Sequence, residues 1–242
     1  MNNLSLTDVK FVRQRLASAE DSRRRREESK TFAPTSPKKK EKGKKGKDKG
    51  KGKKGKKKSK KELEEEAAHF ILNQRKNLMK NYSFACDKLK IDPDEELLRQ
   101  MNDETIEGPL TILMSDGIRL GPGNTRALCC GLTGKWLSTT IESNIFGSEY
   151  QFLLHLGINN GDIGSTGCRA IACLLSSPSC TLQTLRLHSR NNIGAHGCAA
   201  IGTALNFGGG NKSLIELYLD GDTSVGDAGA VELCSRLELN SR

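Results

Sequence analysis

Apolar and polar residues repeat one phrase three times between Leu153 and Leu237. The middle copy reads Leu182, Leu185, Leu187, then Ile193-Gly194, Gly197, Ala200-Ile201 and Leu205. The copy before it reads Leu153, Leu156, Ile158, then Ile163-Gly164, Gly167, Ala170-Ile171 and Leu175. The copy after it reads Leu214, Leu217, Leu219, then Val225-Gly226, Gly229, Ala230-Val231, Leu233 and Leu237. The starts lie 29 and 32 residues apart, a period typical of stacked repeats. The alternation in each opening predicts a short strand with its leucines facing inward. Polar Asn, Asp and Gly then turn the chain. Apolar residues three to four apart predict a helix with one face on the core. The paired glycines predict a helix lying close against its strand, where larger side chains do not fit. No single unit buries both its faces, so the units must stack.

A fourth, weaker copy lies upstream. Leu110, Leu113 and Ser115 stand where Leu153, Leu156 and Ile158 stand, and Leu120-Gly121 and Ala127-Leu128 follow in phase. Ser115 takes an inward apolar position and Asn124 replaces the second glycine. This copy starts 43 residues before Leu153, so Lys135 to Tyr150 is an insertion. Its Trp136, Ile141, Ile145, Phe146 and Tyr150 are expected to fold back as local core, with a partner-binding surface as the other reading. Further upstream, Leu63, Ala67, Phe70, Ile71, Gln74, Leu78 and Tyr82 make a helical stripe between Lys61 and Lys90. A second short helix is expected from Glu95 to Met101, opened by Asp92-Pro93-Asp94. These two helices read as a cap on the first repeat.

The L-x-x-L-x-L opening and the I-G-x-x-G-x-x-A-I core resemble the leucine-rich-repeat family, in its ribonuclease-inhibitor-like subtype. The resemblance covers about residues 110–242, with repeats near 110, 153, 182 and 214. It implies an α/β solenoid with short parallel strands inside and helices outside. It also implies a non-enzymatic scaffold that holds a protein partner on its concave sheet. The expected organisation is a disordered basic tail over 1–61, a helical cap over 62–107 and the repeat domain over 108–242. The outward strand positions are then the candidate contacts: His155, Gln183, Arg186, His188, Glu216, Tyr218 and Asp220, with Gly157, Thr184 and Ile215 on the same face.

Charge changes the picture only at the tail. Residues 38–61 hold sixteen Lys against one Glu and one Asp, a net +14. The whole chain is +10, so the other 218 residues carry −4. Lys38, Lys39, Lys40, Lys44, Lys45, Lys53, Lys54, Lys56, Lys57 and Lys58 are the candidate polyanion contacts. Three readings stay open: a nuclear or nucleolar address, a sequence-independent grip on a polyanion, or a solubilising linker. The polyanion is RNA, DNA, anionic lipid or the acidic tails of tubulin. No aromatics interleave the lysines, so base stacking is not expected. Ser36-Pro37-Lys38-Lys39 makes Ser36 a candidate phosphorylation site beside the run. Before it, Val9, Val12 and Leu16 outline a marginal helix that dissolves into Arg23 to Arg26.

Eight cysteines show no C-x-x-C pair, and Cys168 and Cys198 share one repeat position. Buried packing is expected for them rather than a metal. No secretory pattern opens the chain and no apolar run is long enough to span a bilayer. The expectation is an intracellular protein, cytoplasmic or nuclear, with a cilium or flagellum as a third location by family analogy. His69, His155, His188 and His196 fall into no catalytic spacing, so no enzyme activity and no cofactor are expected.

Overall fold

The structure, a computed structural model, describes residues 60–116, 119–137, 145–206 and 211–238. The lysine run from Lys38 to Lys58, Ser36 and Ile141 lie outside the described residues. The chain divides into two compact units, Met1–Phe70 and Ile71–Arg242. In the first unit the described residues are helical from Lys60 onward. They belong to the opening of α1 (Lys60–Leu89), where Glu62 suits the positive end of the helix dipole.

The second unit is a mixed α/β structure. After α1 come α2 (Glu95–Met101), β1 (Ile112–Asp116), α3 (Gly121–Thr133), β2 (His155–Asn159), α4 (Gly164–Leu175), β3 (Thr184–His188), α5 (Gly194–Leu205), β4 (Glu216–Tyr218) and α6 (Gly226–Leu237). The four strands form one parallel sheet in the order β1-β2-β3-β4. Register pairs Leu113 with Leu156, Leu156 with Leu185, and Leu185 with Leu217. The sequence offsets between these partners are therefore 43, 29 and 32 residues. These are the spacings of the apolar phrase itself. No helix among the described residues is long and apolar enough to cross a membrane.

The inward leucines and isoleucines form the core. Leu113, Leu185, Leu187, Ile163, Ile171, Ile193 and Ile201 are fully buried, each contributing about 2 kcal/mol by area. Burial fades in the last unit, where Leu233 is only half-buried although its counterparts Ile171 and Ile201 in the two preceding helices are fully buried. Ser115 is buried where β2 carries Ile158, and its hydroxyl has no hydrogen-bond partner among the described residues.

The glycines do something other than the pattern predicts. The first of each pair opens its helix at positive φ: +69° at Gly121, +61° at Gly164 and Gly194, +52° at Gly226. A side chain there would meet open space, so the need is conformational. Their amides reach into the next unit, Gly121 to the Gly161 carbonyl, Gly164 to the Asn191 carbonyl and Gly194 to Ser224 Oγ. The second glycine seats one helix on the previous helix, not on the strand. A Cβ on Gly197 would lie 3.0 Å from Cys168 Sγ, and one on Gly229 would lie 3.1 Å from Cys198 Sγ. Gly167 meets Thr125 in the same way. The helices touch along this seam, so the small residues belong there. At the equivalent position Asn124 faces α1, and its Oδ1 accepts a 2.8 Å bond from the Tyr82 hydroxyl.

Both helices expected upstream of the repeats form, with one exception in the stripe. Arg75 is buried and its neighbour Gln74 only half-buried. The guanidinium donates to the carbonyls of Met101, Asp103 and Ile106, which satisfies the end of α2. Periodicity marks which face is buried but not that a charged tip finds carbonyls there.

Candidate binding face on the parallel sheet

Alternation along four parallel strands turns every second side chain outward. Register then gathers those side chains into rungs. One rung runs Ile112, His155, Thr184, Glu216, and the next runs Met114, Gly157, Arg186, Tyr218. A third runs Asp116, Asn159, His188 and continues to Asp220, just past β4. Six of the seven candidate contacts therefore share one face. Gln183 does not join a rung. It lies exposed one residue before β3, and its carbonyl accepts from the amides of Ile215 and Glu216.

Neighbours on the rungs hold one another. The Arg186 guanidinium sits 4.6 Å from the centre of the Tyr218 ring, within the range of a cation–π contact. His188 Nδ1 lies 2.5 Å from Asp220 Oδ2. The Thr184 hydroxyl donates to Glu216 at 3.1 Å. All three pairs are 32 residues apart, one repeat period. That offset was the signal in the sequence that could have found them, although the histidine spacing alone matched nothing catalytic. Asp116 is exposed and has no hydrogen-bond or ion-pair partner among the described residues.

Gly157 has no side chain to offer its rung. A Cβ there would run into the end of Met114, which leans across the gap. The result is an open depression of about 390 Å³, floored by Met114 and Gly157 and rimmed by Asp116, Asn159, His188 and Asp220. Arg186 and Tyr218 form its β3–β4 wall. Its charged lining holds two carboxylates against one guanidinium.

The insertion splits between core and surface. Tyr150 is buried and donates to the Leu110 carbonyl at 3.0 Å. Trp136 is half-buried under the Arg126 guanidinium, 5.0 Å from its ring centre. Phe146 packs against Phe84 in a tilted arrangement with centroids 4.9 Å apart, while Ile145 stays 64% exposed. All eight cysteines are free thiols; Cys86, Cys129, Cys130, Cys168 and Cys198 are buried. Burial pushes the Cys168 thiol up to about 12 and Cys86 to about 11. Such thiols are inert packing groups. Among the described residues no group of His, Cys, Asp or Glu is arranged to hold a metal ion.

No protein-family model matches the chain, and no curated protein is significantly similar to it.

Proposed function

We propose that this chain is a leucine-rich-repeat scaffold of the ribonuclease-inhibitor-like subtype that holds a protein partner on its sheet face, without catalysing a reaction. The observation that carries the reading is the in-phase register. Four strand–helix units repeat the same inward leucines, the same positive-φ glycine and the same outward rungs. A parallel sheet open on one side presents alternate side chains as one continuous surface. Arg186 on Tyr218 gives that surface an aromatic and arginine pair, the residue types that dominate binding energy at interfaces. The lysine tail supplies a second, electrostatic attachment to RNA, DNA or the acidic tails of tubulin. Two weak contacts on one chain reinforce each other when the linker spans both.

The test is affinity capture with the full chain, the Arg186→Ala/Tyr218→Ala double variant, and a chain lacking residues 38–58, each at low and high salt. Partners kept in high salt, kept without the tail and lost with the double variant support the sheet face. Partners lost with the tail and with salt, and indifferent to the double variant, place the function in the polyanion contact instead.

A further inference from the structure

We infer that the depression over Gly157 takes a single lysine or arginine side chain from an extended segment of the partner protein. The inference rests on the sheet-face reading above and names the chemistry of its partner.

Shape and charge lead to the same occupant. The floor is the thioether of Met114 lying across the bare backbone of Gly157. That is a flat, polarisable surface suited to the methylene stem of a long side chain. The rim beyond it is acidic. Asp116 stands at one end of its rung and Asp220 at the other, with Asn159 and His188 between. Glu216 adds a third carboxylate to the face, on the other side of Tyr218. The one guanidinium, Arg186, is drawn onto Tyr218 at the β4 side. The β1 side of the depression is left with Asp116, which is exposed and has no hydrogen-bond or ion-pair partner among the described residues. A cationic tip placed over Asp116 and Asn159 finds a carboxylate and an amide oxygen, with its stem on Met114. An acidic side chain entering the same space meets Asp116 and Asp220; Arg186 is held on Tyr218 and His188 is already engaged with Asp220.

A second copy of this chain is a poorer occupant. Its own sheet face carries the same excess of carboxylates, so two such faces repel.

Met114 is one of four methionines, with Met1, Met79 and Met101, so its methyl group is a clean reporter. The experiment is nuclear magnetic resonance of the full chain with labelled methionine methyls. It is titrated with a short synthetic peptide bearing one central lysine among Gly, Ser and Val. The Met114 signal should move saturably with this peptide and stay still with its acetyl-lysine and glutamate counterparts. Asp116→Asn should weaken the binding about three- to fivefold, the size of a partly exposed ion pair. Arg186→Ala should tighten it. The buried Met101 methyl, unmoved throughout, reports that the variants keep their fold.

Movement with the glutamate peptide, lost in Arg186→Ala, would make this an anion site and overturn the inference. So would a Met114 signal indifferent to all three peptides. A signal that moves with salt or dilution before any peptide is added would also overturn it, since another part of this protein then fills the depression. A captured partner that depends on Arg186 and Tyr218 but not on Asp116 leaves the scaffold reading standing and removes this one alone.

Discussion

Gln100 closes the free edge of the sheet by pairing its side-chain amide with the backbone of Met114. Its Oε1 accepts from the Met114 amide at 3.0 Å, and its Nε2 donates to the Met114 carbonyl at 2.6 Å. Both backbone groups of an edge residue are thus satisfied by one side chain, as a neighbouring strand would satisfy them. Nε2 also donates to Glu96 Oε1, which anchors the amide to α2. An edge treated this way is a poor template for another chain. Replacing Gln100 by Ala should cost about 1–2 kcal/mol, two half-exposed hydrogen bonds. Gln100→Glu should cost at least as much, because a carboxylate cannot donate to the Met114 carbonyl. Chemical denaturation of the full chain checks both, and two variants as stable as the parent would show that the pair does not hold the edge.

The two glycines of a helix opening should respond differently to alanine. At Gly197 the new methyl would sit 2.8 Å from Ile193 Cγ2 and 3.0 Å from Cys168 Sγ, so a buried neighbour must shift. Overpacking there should cost about 1–3 kcal/mol. At Gly194 the methyl meets nothing, and the cost is the positive φ alone, about 1 kcal/mol. Combining Gly197→Ala with Cys168→Ala should recover part of the loss by opening the seam. Gly194→Ala should gain nothing from the same partner change. Equilibrium unfolding of the parent, the three single variants and the two doubles closes both cycles and decides it.

Arg75 places a buried charge whose hydrogen bonds go to backbone carbonyls. Its bonds to Met101, Asp103 and Ile106 tie the loop after α2 to α1. Arg75→Met keeps most of the volume and leaves those carbonyls unpaired, at a cost on the order of 3 kcal/mol. Amide hydrogen exchange should show the loss first around residues 101–106. Uniform exchange across the unit would argue that Arg75 does not act locally.

Acid should weaken the fold through its paired carboxylates. Burial pushes the Glu149 carboxyl up, but hydrogen bonds from Lys135 at 2.6 Å and from Ser179 more than offset it, so its value lies below the ordinary one. Glu96 is held down to about 2, first by its hydrogen bonds from Arg99 and then by Gln100. For both groups the unfolded chain takes up its proton near the ordinary glutamate value, about 4.3, and the folded chain only at lower pH. Between those values the unfolded state binds more protons, so stability is full above the window and falls as pH drops through it. Melting temperature measured from pH 7 to pH 3 should fall less steeply in Glu149→Gln than in the parent. Equal slopes would remove Glu149 from the account.

Much of this architecture is written locally along the chain. The strand alternation, the helical spacing and the phase of the copies specify where β2, β3, β4 and their helices lie. α2 also begins and ends where its cap residues predict. These features are legible because each depends on residues a few positions apart and on periods that a single strand or helix imposes. The repeat offset even carries the rung partners, since residues one period apart become neighbours once the strands pair.

Tertiary structure alone decided the rest. Nothing near Gln100 in sequence says that its amide will complete an edge 14 residues away, nor does the stripe of α1 say that Arg75 enters the core. The glycine pairs look alike in sequence, yet one answers a backbone angle and the other a sulfur on the neighbouring helix. The depression exists because Gly157 happens to lie between Met114 and Arg186 on one rung. Such features depend on what a distant segment places against a side chain. Hydrophobic period determines that two elements meet, and packing determines which atoms do.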